Sequence, residues 1–296
     1  MMNSVRVPIP TFSSRDFEEF IPVAEGTTSR VYQAKLHGLK VAVKTLKPLD
    51  EIEEPSTREH VEKDFENELL TNMRLRHPNI LLCLGCVRTK KLESLIFEFC
   101  EGGRLKCSKY GPTKLQKGLE ICSGVARALC FAHGLGILHR DVKPSQVLMH
   151  ANVPKLGDWG LATYAGEEGC RTGETGTWEF MAPEVIRSER YGLPADVFSF
   201  GVLLYCVITG VDYPYMDKYL TASQAAMGVA KRDLRPSMTS SLPEIVSHIT
   251  VSCWAADPEA RPSMTRVVSM LEKAESQCIA KGGPNSNGWP SWVWGW

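Results

Sequence analysis

The stretch HRDVKPSQV, His139 to Val147, sets a histidine, an arginine, an aspartate and a lysine within five residues and ends on a glutamine before an apolar run. Its proline has no amide N–H and breaks a helix, so these charges belong to a loop. Two short strand-like segments between Ile137 and Ala162 wrap around that loop.

On the N-terminal side the chain reads as a small strand-rich lobe. Val31 to Leu36, Val41 to Leu46, Ile80 to Val87 and Leu95 to Phe99 are short runs of strand-forming residues separated by turn signals. One helix interrupts them: Val61, Phe65, Glu68 and Asn72 recur at helical spacing beside Leu69 and Met73. Glu68 then lies on the edge of a buried face, where a carboxylate needs a cation. In VAVK, period-2 alternation puts Ala42 and Lys44 on one strand face and Val41 and Val43 on the other. Lys44 and Glu68 are natural partners.

On the C-terminal side helical periodicity takes over. Leu115, Leu119, Cys122, Ala126 and Leu129 form one stripe; Ile245, Ile249 and Cys253 form another, and Met264, Val267, Val268 and Leu271 a third. Asp196 to Thr209 is apolar almost all round and belongs inside this second lobe. The expected fold class is α+β, a small antiparallel-sheet lobe with one helix followed by a larger, mainly helical lobe, with a ligand cleft at the junction.

Thirty-four basic residues balance thirty-four acidic ones in 296, so no global field steers the chain onto nucleic acid or anionic lipid. The run FSFGVLLYCVITG from Phe198 is shorter than the roughly 20 residues a membrane span needs. The opening MMNSVRVPIP carries neither a long apolar stretch nor a glycine after the initiator, which argues against secretion and myristoylation. A cytoplasmic or nuclear protein is expected, with its ten scattered cysteines acting mostly as small buried hydrophobes. Cys83 and Cys86 form a CxxC without a second pair, which fits core packing better than zinc.

The informative segments follow one another in order: VAEGTTSRV (Val23 to Val31), VAVK with Lys44, FENELL with Glu68, HRDVKPSQV, KLGDWG (Lys155 to Gly160), GTWEFMAPE (Gly176 to Glu184), Asp196 in ADVFSFG and Arg261 in DPEARPS. In this order they resemble the signatures of a eukaryotic protein kinase over roughly residues 15 to 276. GTWEFMAPE and RHPNILLCLG are similar to loops of the tyrosine-kinase-like branch, the Raf-like and mixed-lineage kinases. The resemblance implies a two-lobed kinase fold, with an extension at 1–14, a catalytic domain at 15–276 (smaller lobe about 15–99, larger lobe about 100–276) and a flexible tryptophan-rich tail at 277–296.

It also implies roles. Asp141 orients the acceptor hydroxyl and accepts its proton, Lys143 stabilises the transferring phosphate, and Lys44, held by Glu68, fixes the α and β phosphates. Asp158 and Gln146 hold Mg²⁺, with Mn²⁺ as the alternative ion. Val23 and Gly26 lie over the nucleotide, Val31 and Ala42 sandwich adenine against Leu148, and the backbone of Glu98 and Cys100 reads its edge, with Phe97 behind it. Glu184, Asp196 and Arg261 are structural. Arg140 meets a phosphate on Thr172 or Thr175, and Thr177 positions the acceptor. Lys143, two residues after Asp141, and Gly176-Thr177 point to serine or threonine in protein substrates, with ATP as donor.

Three departures from the family pattern leave an alternative open, a pseudokinase that binds nucleotide or partners with weak or no transfer. The phosphate loop reads Ala24, Gly26 and Ser29 where the family has three glycines, which restricts positive φ and adds Cβ atoms. DFG is Asp158-Trp159-Gly160. Gln146 stands where the family has asparagine, carrying its amide about 1.5 Å further. The tail GWPSWVWGW holds four of seven tryptophans and is a candidate anchor on a partner or on this chain.

Overall fold

The computed structural model describes residues 8–26, 28–48, 51, 58–89, 93–166 and 176–281. The smaller lobe is a five-stranded antiparallel sheet of β1 (Phe17–Glu25), β2 (Ser29–Leu36), β3 (Leu39–Leu46), β4 (Cys83–Arg88) and β5 (Glu93–Glu98), ordered β1-β2-β3-β5-β4. Between β3 and β4 comes α1 (Arg58–Arg74). The alternation in VAVK places Val41 and Val43 in a cluster with Phe17, Ala34 and Ile96 on one face of the sheet. On the other face Ala42 packs with Phe65 and Leu69 of α1 and with Leu95 and Phe97 of β5. Cys83 and Cys86 are buried in that second cluster, and Cys83 Sγ lies 3.6 Å from Gly85 O.

The strand absent from the sequence reading is β1. Eight of its nine residues are not buried, Pro22 interrupts it, and two bulges break its register with β2. Glu18 to Val23 are exposed without interruption, so both faces of this edge strand meet water; it needs no apolar alternation and tolerates proline. At the opposite edge the segment assigned to an extension adds to the sheet: Phe12 N donates to Cys86 O at 2.8 Å and Cys86 N to Pro10 O at 3.0 Å. Gly85, at φ +149, makes this approach possible, since a Cβ there would stand 2.2 Å from Pro10 O.

The larger lobe is built on α2 (Leu115–Gly134), followed by β6 (Ile137–Leu138), β7 (Val147–His150), β8 (Val153–Leu156) and β9 (Thr163–Tyr164), then α3 (Pro183–Ile186), α4 (Leu193–Thr209), α5 (Ala222–Arg232), α6 (Glu244–Cys253) and α7 (Met264–Lys281). α4 is buried from Ala195 to Ile208, as its all-round apolar sequence requires, and α2 packs on it and on α7. β6 pairs with β9 and β7 with β8, so HRDVKPSQV is clamped between two small antiparallel ribbons. That clamp aims the charged loop at the space beneath β3 and α1.

Candidate active site

Lys44 leaves the sheet toward α1, and its Nζ lies 2.6 Å from Glu68 Oε1 and 3.1 Å from Asp158 Oδ1. Burial works against charge on Lys44, but the two carboxylates outweigh it and hold the ammonium protonated above the ordinary lysine range. On Glu68 desolvation exceeds the pull of Lys44 and lifts the carboxyl. Burial also tends to raise Asp158, yet Lys44, His139 and the Gln146 amide bring it below the usual carboxylate range. Asp158 has a left-handed backbone, φ 57, which an aspartate tolerates at some cost; such strain concentrates at functional positions. A Cβ at Gly160, two residues on, would stand 3.2 Å from Glu68 Oε2 and press on the ion-paired carboxylate.

Beneath this pair the catalytic-loop candidates are tied down by buried partners. Asp196 accepts from His139 N at 2.8 Å and Arg140 N at 2.9 Å, and lies 2.9 Å from His133 Nε2. Burial would raise Asp196, but these partners, His133 foremost, bring it below its ordinary value. His139 is fully buried: Asp141 N donates to its Nδ1 at 3.2 Å, and its Nε2–H then donates to Gly157 O at 2.9 Å. The His139 ring thus links the residue before Asp158 to Asp141. Trp159 is buried against the same ring, centroids 4.5 Å apart, and its indole N–H donates to Leu156 O at 3.3 Å. The larger wedge is accommodated in the core.

Asp141 collects three partners. Lys143 Nζ is 2.7 Å from its Oδ2, Thr177 Oγ1 donates to its Oδ1 at 2.8 Å, and Gln146 Nε2 donates to its Oδ2 at 2.7 Å. Lys143 also donates to Thr177. Gln146 Nε2 reaches Asp158 Oδ2 at 3.0 Å as well. The sequence reading aims the amide oxygen of Gln146 at a cation; the observed contacts turn its nitrogen to two carboxylates, because an acceptor-only carboxylate attracts the N–H₂ end. Lys44, Glu68, Asp141, Lys143, Gln146, Asp158 and Thr177 therefore meet in one cleft.

Leu148 and Ala42 border the cluster containing Phe97 and Cys100, and Phe97 is buried in it, at once core and back wall. Glu98 N donates to Leu82 O at 3.0 Å, and Cys100 O accepts from Gly103 N at 3.1 Å. Val31 is half-buried opposite Lys44 in the β2–β3 register, while Val23 on β1 is 54% exposed. Ala24 and Ser29 differ from their expected cost: Ala24 pairs with Val31 and Ser29 with Leu46 as ordinary strand residues. Neither has positive φ, nor does Gly26, whose N–H donates to Ser29 O at 2.8 Å.

Glu184 and Arg261 form a buried bidentate pair at 2.6 and 2.8 Å, anchoring α3 to the turn before α7. Arg140, also at positive φ (68°), donates to Leu161 O and, at 3.4 Å, to Tyr191 Oη. Thr172, Thr175 and the tail from 282 lie outside the described residues. Sequence reasoning missed the Glu98 carboxylate, which accepts from Leu82 N at 2.8 Å and pairs with Lys155 at 2.9 Å, and the bridging role of His139. A lysine inside the short strand β8 was the available signal for the first.

The family model described as Protein kinase domain matches residues 17–271. The chain is 33% identical over 256 residues to Serine/threonine-protein kinase STY17 of Arabidopsis thaliana, covering 85% of this chain and 43% of that protein. It is 31% identical over 268 residues to Serine/threonine/tyrosine-protein kinase HT1 of Arabidopsis thaliana, covering 88% of this chain and 67% of that protein. With Mitogen-activated protein kinase kinase kinase 12 of Rattus norvegicus it shares 29% identity over 270 residues, 89% of this chain and 28% of that protein. The chain thus spans less than half the length of STY17 and two thirds that of HT1.

Proposed function

The chain belongs to the protein kinase family, in its tyrosine-kinase-like branch, and on that premise we propose that it transfers the γ-phosphate of ATP to serine or threonine hydroxyls of protein substrates in intracellular signalling. The observation that carries this reading is the convergence of Lys44, Glu68 and Asp158 with Asp141, Lys143 and Thr177 in a single cleft. Lys44 holds the α and β phosphates, with Glu68 fixing the ammonium. Adenine lies between Val31 and Ala42 above and Leu148 below, its edge on the backbone of Glu98 and Cys100, with Val23 and Gly26 over the phosphates. Asp141 orients the acceptor hydroxyl and takes its proton, while Thr177 and Lys143 set the acceptor and the transferring group. Alignment and charge neutralisation make up most of the work in phosphoryl transfer.

Divalent-cation use fits the donor set. The Asp158 carboxylate is 47% exposed toward the cleft, and a hard cation of the Mg²⁺ type takes one or two carboxylates together with substrate phosphates. When bound, it neutralises phosphate charge. Asp158 holds Mg²⁺, or Mn²⁺; Gln146 joins only by presenting Oε1, opposite to its observed orientation.

Arg140 is proposed to receive a phosphate on Thr172 or Thr175, in competition with its bonds to Leu161 and Tyr191. The tryptophan-rich tail is proposed as an anchor on a partner or on this chain, tested by deleting residues 282–296 and measuring self-association and stability. Among the described residues no helix is long and apolar enough to cross a membrane; we place the protein in the cytoplasm or nucleus.

Incubation with γ-labelled ATP and generic protein substrates in Mg²⁺, and separately in Mn²⁺, tests the function, followed by phosphoamino-acid analysis. Label on serine or threonine is expected. Nucleotide binding without transfer in either ion would move the assignment to a pseudokinase.

A further inference from the structure

Asp141 and Asp158 reach the cleft from different elements, one from the loop after β6 and the other from the end of β8, yet both face the same amide nitrogen. Gln146 Nε2 stands 2.7 Å from Asp141 Oδ2 and 3.0 Å from Asp158 Oδ2. An amide nitrogen has two N–H donors and no lone pair available to a cation. Both donors are committed here, one to each carboxylate. Each acid also has a lysine of its own, Lys143 on Asp141 and Lys44 on Asp158, so the amide is the side chain that joins two otherwise separate ion pairs.

The backbone explains why glutamine can make this bridge. Gln146 N donates to Lys143 O at 3.1 Å, and Gln146 O accepts from Gly157 N at 2.9 Å, immediately before Asp158. Its main chain is therefore pinned between the two loops, and the side chain alone sets the reach. An asparagine amide would stop about 1.5 Å short along the same direction.

Resting on the kinase reading, we propose that Gln146 is a positioning residue that acts as a latch: its amide braces Asp141 against Asp158, and a divalent cation gains the Asp158 carboxylate only when that brace lets go. The extra methylene is the feature that makes the latch, and binding of the cation competes with it. A glutamine serving as metal ligand makes the opposite demand, since removing it would weaken the site.

Mn²⁺ is the probe, its binding to the full chain measured by electron paramagnetic resonance with a non-hydrolysable ATP analogue present. Gln146→Ala is expected to bind Mn²⁺ about tenfold more tightly than wild type, the scale of one charge-assisted hydrogen bond no longer displaced. Gln146→Asn, too short to span both acids, is expected to move in the same direction and serves where the alanine variant folds poorly. In protein labelled with ¹⁵N-glutamine, the side-chain amide signal that disappears in Gln146→Asn should shift on titration with Mg²⁺. Weaker or unchanged Mn²⁺ binding in both variants, or an amide signal unmoved by Mg²⁺, overturns the latch alone. Asp158→Asn separates the two levels: if wild type binds Mn²⁺ no better than that variant, the assignment of Asp158 to the cation fails, and the latch with it.

Discussion

The roof and the floor of the cleft depart from the family pattern in different ways. The roof, the β1–β2 turn, has lost two of its three glycines, yet it closes by backbone pairing: Ala24 with Val31, Ser29 with Leu46, and Gly26 N–H on Ser29 O at 2.8 Å. Its side chains largely face water, with the exposed carboxylate of Glu25 2.7 Å from Nζ of the mostly buried Lys47. The floor keeps its charges, and almost every one touches a second polar side chain, from Lys44 and Glu68 to Asp141 and Thr177. Backbone hydrogen bonds are indifferent to most side chains, whereas a network of converging side chains leaves a buried charge unpaired when one member is lost. Substitution is cheap in the roof and costly in the floor.

The sharpest way to break this contrast is in the floor. Asp141→Asn is expected to lower phosphate transfer by about 10²–10⁴-fold with the fold intact, as measured by single-turnover kinetics beside circular dichroism. A wild-type rate would remove Asp141 from the reaction. Arg261→Ala leaves the buried Glu184 carboxylate without its bidentate partner and is expected to cost about 3–5 kcal/mol in denaturant unfolding. A loss no larger than that of an exposed pair would mean the support beneath the floor is as forgiving as the roof.

Lys44→Met sharpens the contrast through pH. Asp158 is held below the ordinary carboxylate range mainly by Lys44, against the effect of burial. Its depressed value gives stability that is present above the unfolded carboxylate pKa and lost as pH falls through the folded one. Without Lys44 the burial effect prevails and Asp158 takes up its proton at higher pH. The acid limb of metal–nucleotide binding should therefore move upward, and an unmoved limb would show that Lys44 and Asp158 act independently.

The smallest effect belongs to the roof. Ala24→Gly combined with Ser29→Gly is expected to leave ATP affinity within about twofold while lowering stability by about 0.5–1 kcal/mol per substitution, since neither position uses glycine's freedom. A tenfold gain in affinity, read by calorimetric titration, would show instead that the added Cβ atoms hinder the phosphates.

Lys44 and Glu68 were legible as a pair before any coordinates, because a period of two and a period near 3.6 each placed a charge on a face otherwise apolar, and such a charge must find its opposite. The stripes of α2, α6 and α7 were legible from the same helical period, and α4 from being apolar almost all round. β1 was not, since an edge strand wet on both faces carries no alternation, and its partner is named only by the sheet. His139 stood in the quoted loop, but one of its two ring contacts, to Gly157 O, depends on a chain segment eighteen residues away. Gln146 marks the boundary most clearly. Sequence alone determined that an amide longer by one methylene follows an acid and a lysine in one loop. Which end of that amide faces the acids was decided only when the fold brought Asp141 and Asp158 within reach of one nitrogen, because local spacing sets where a side chain starts and the field of its tertiary neighbours sets which atom it offers them.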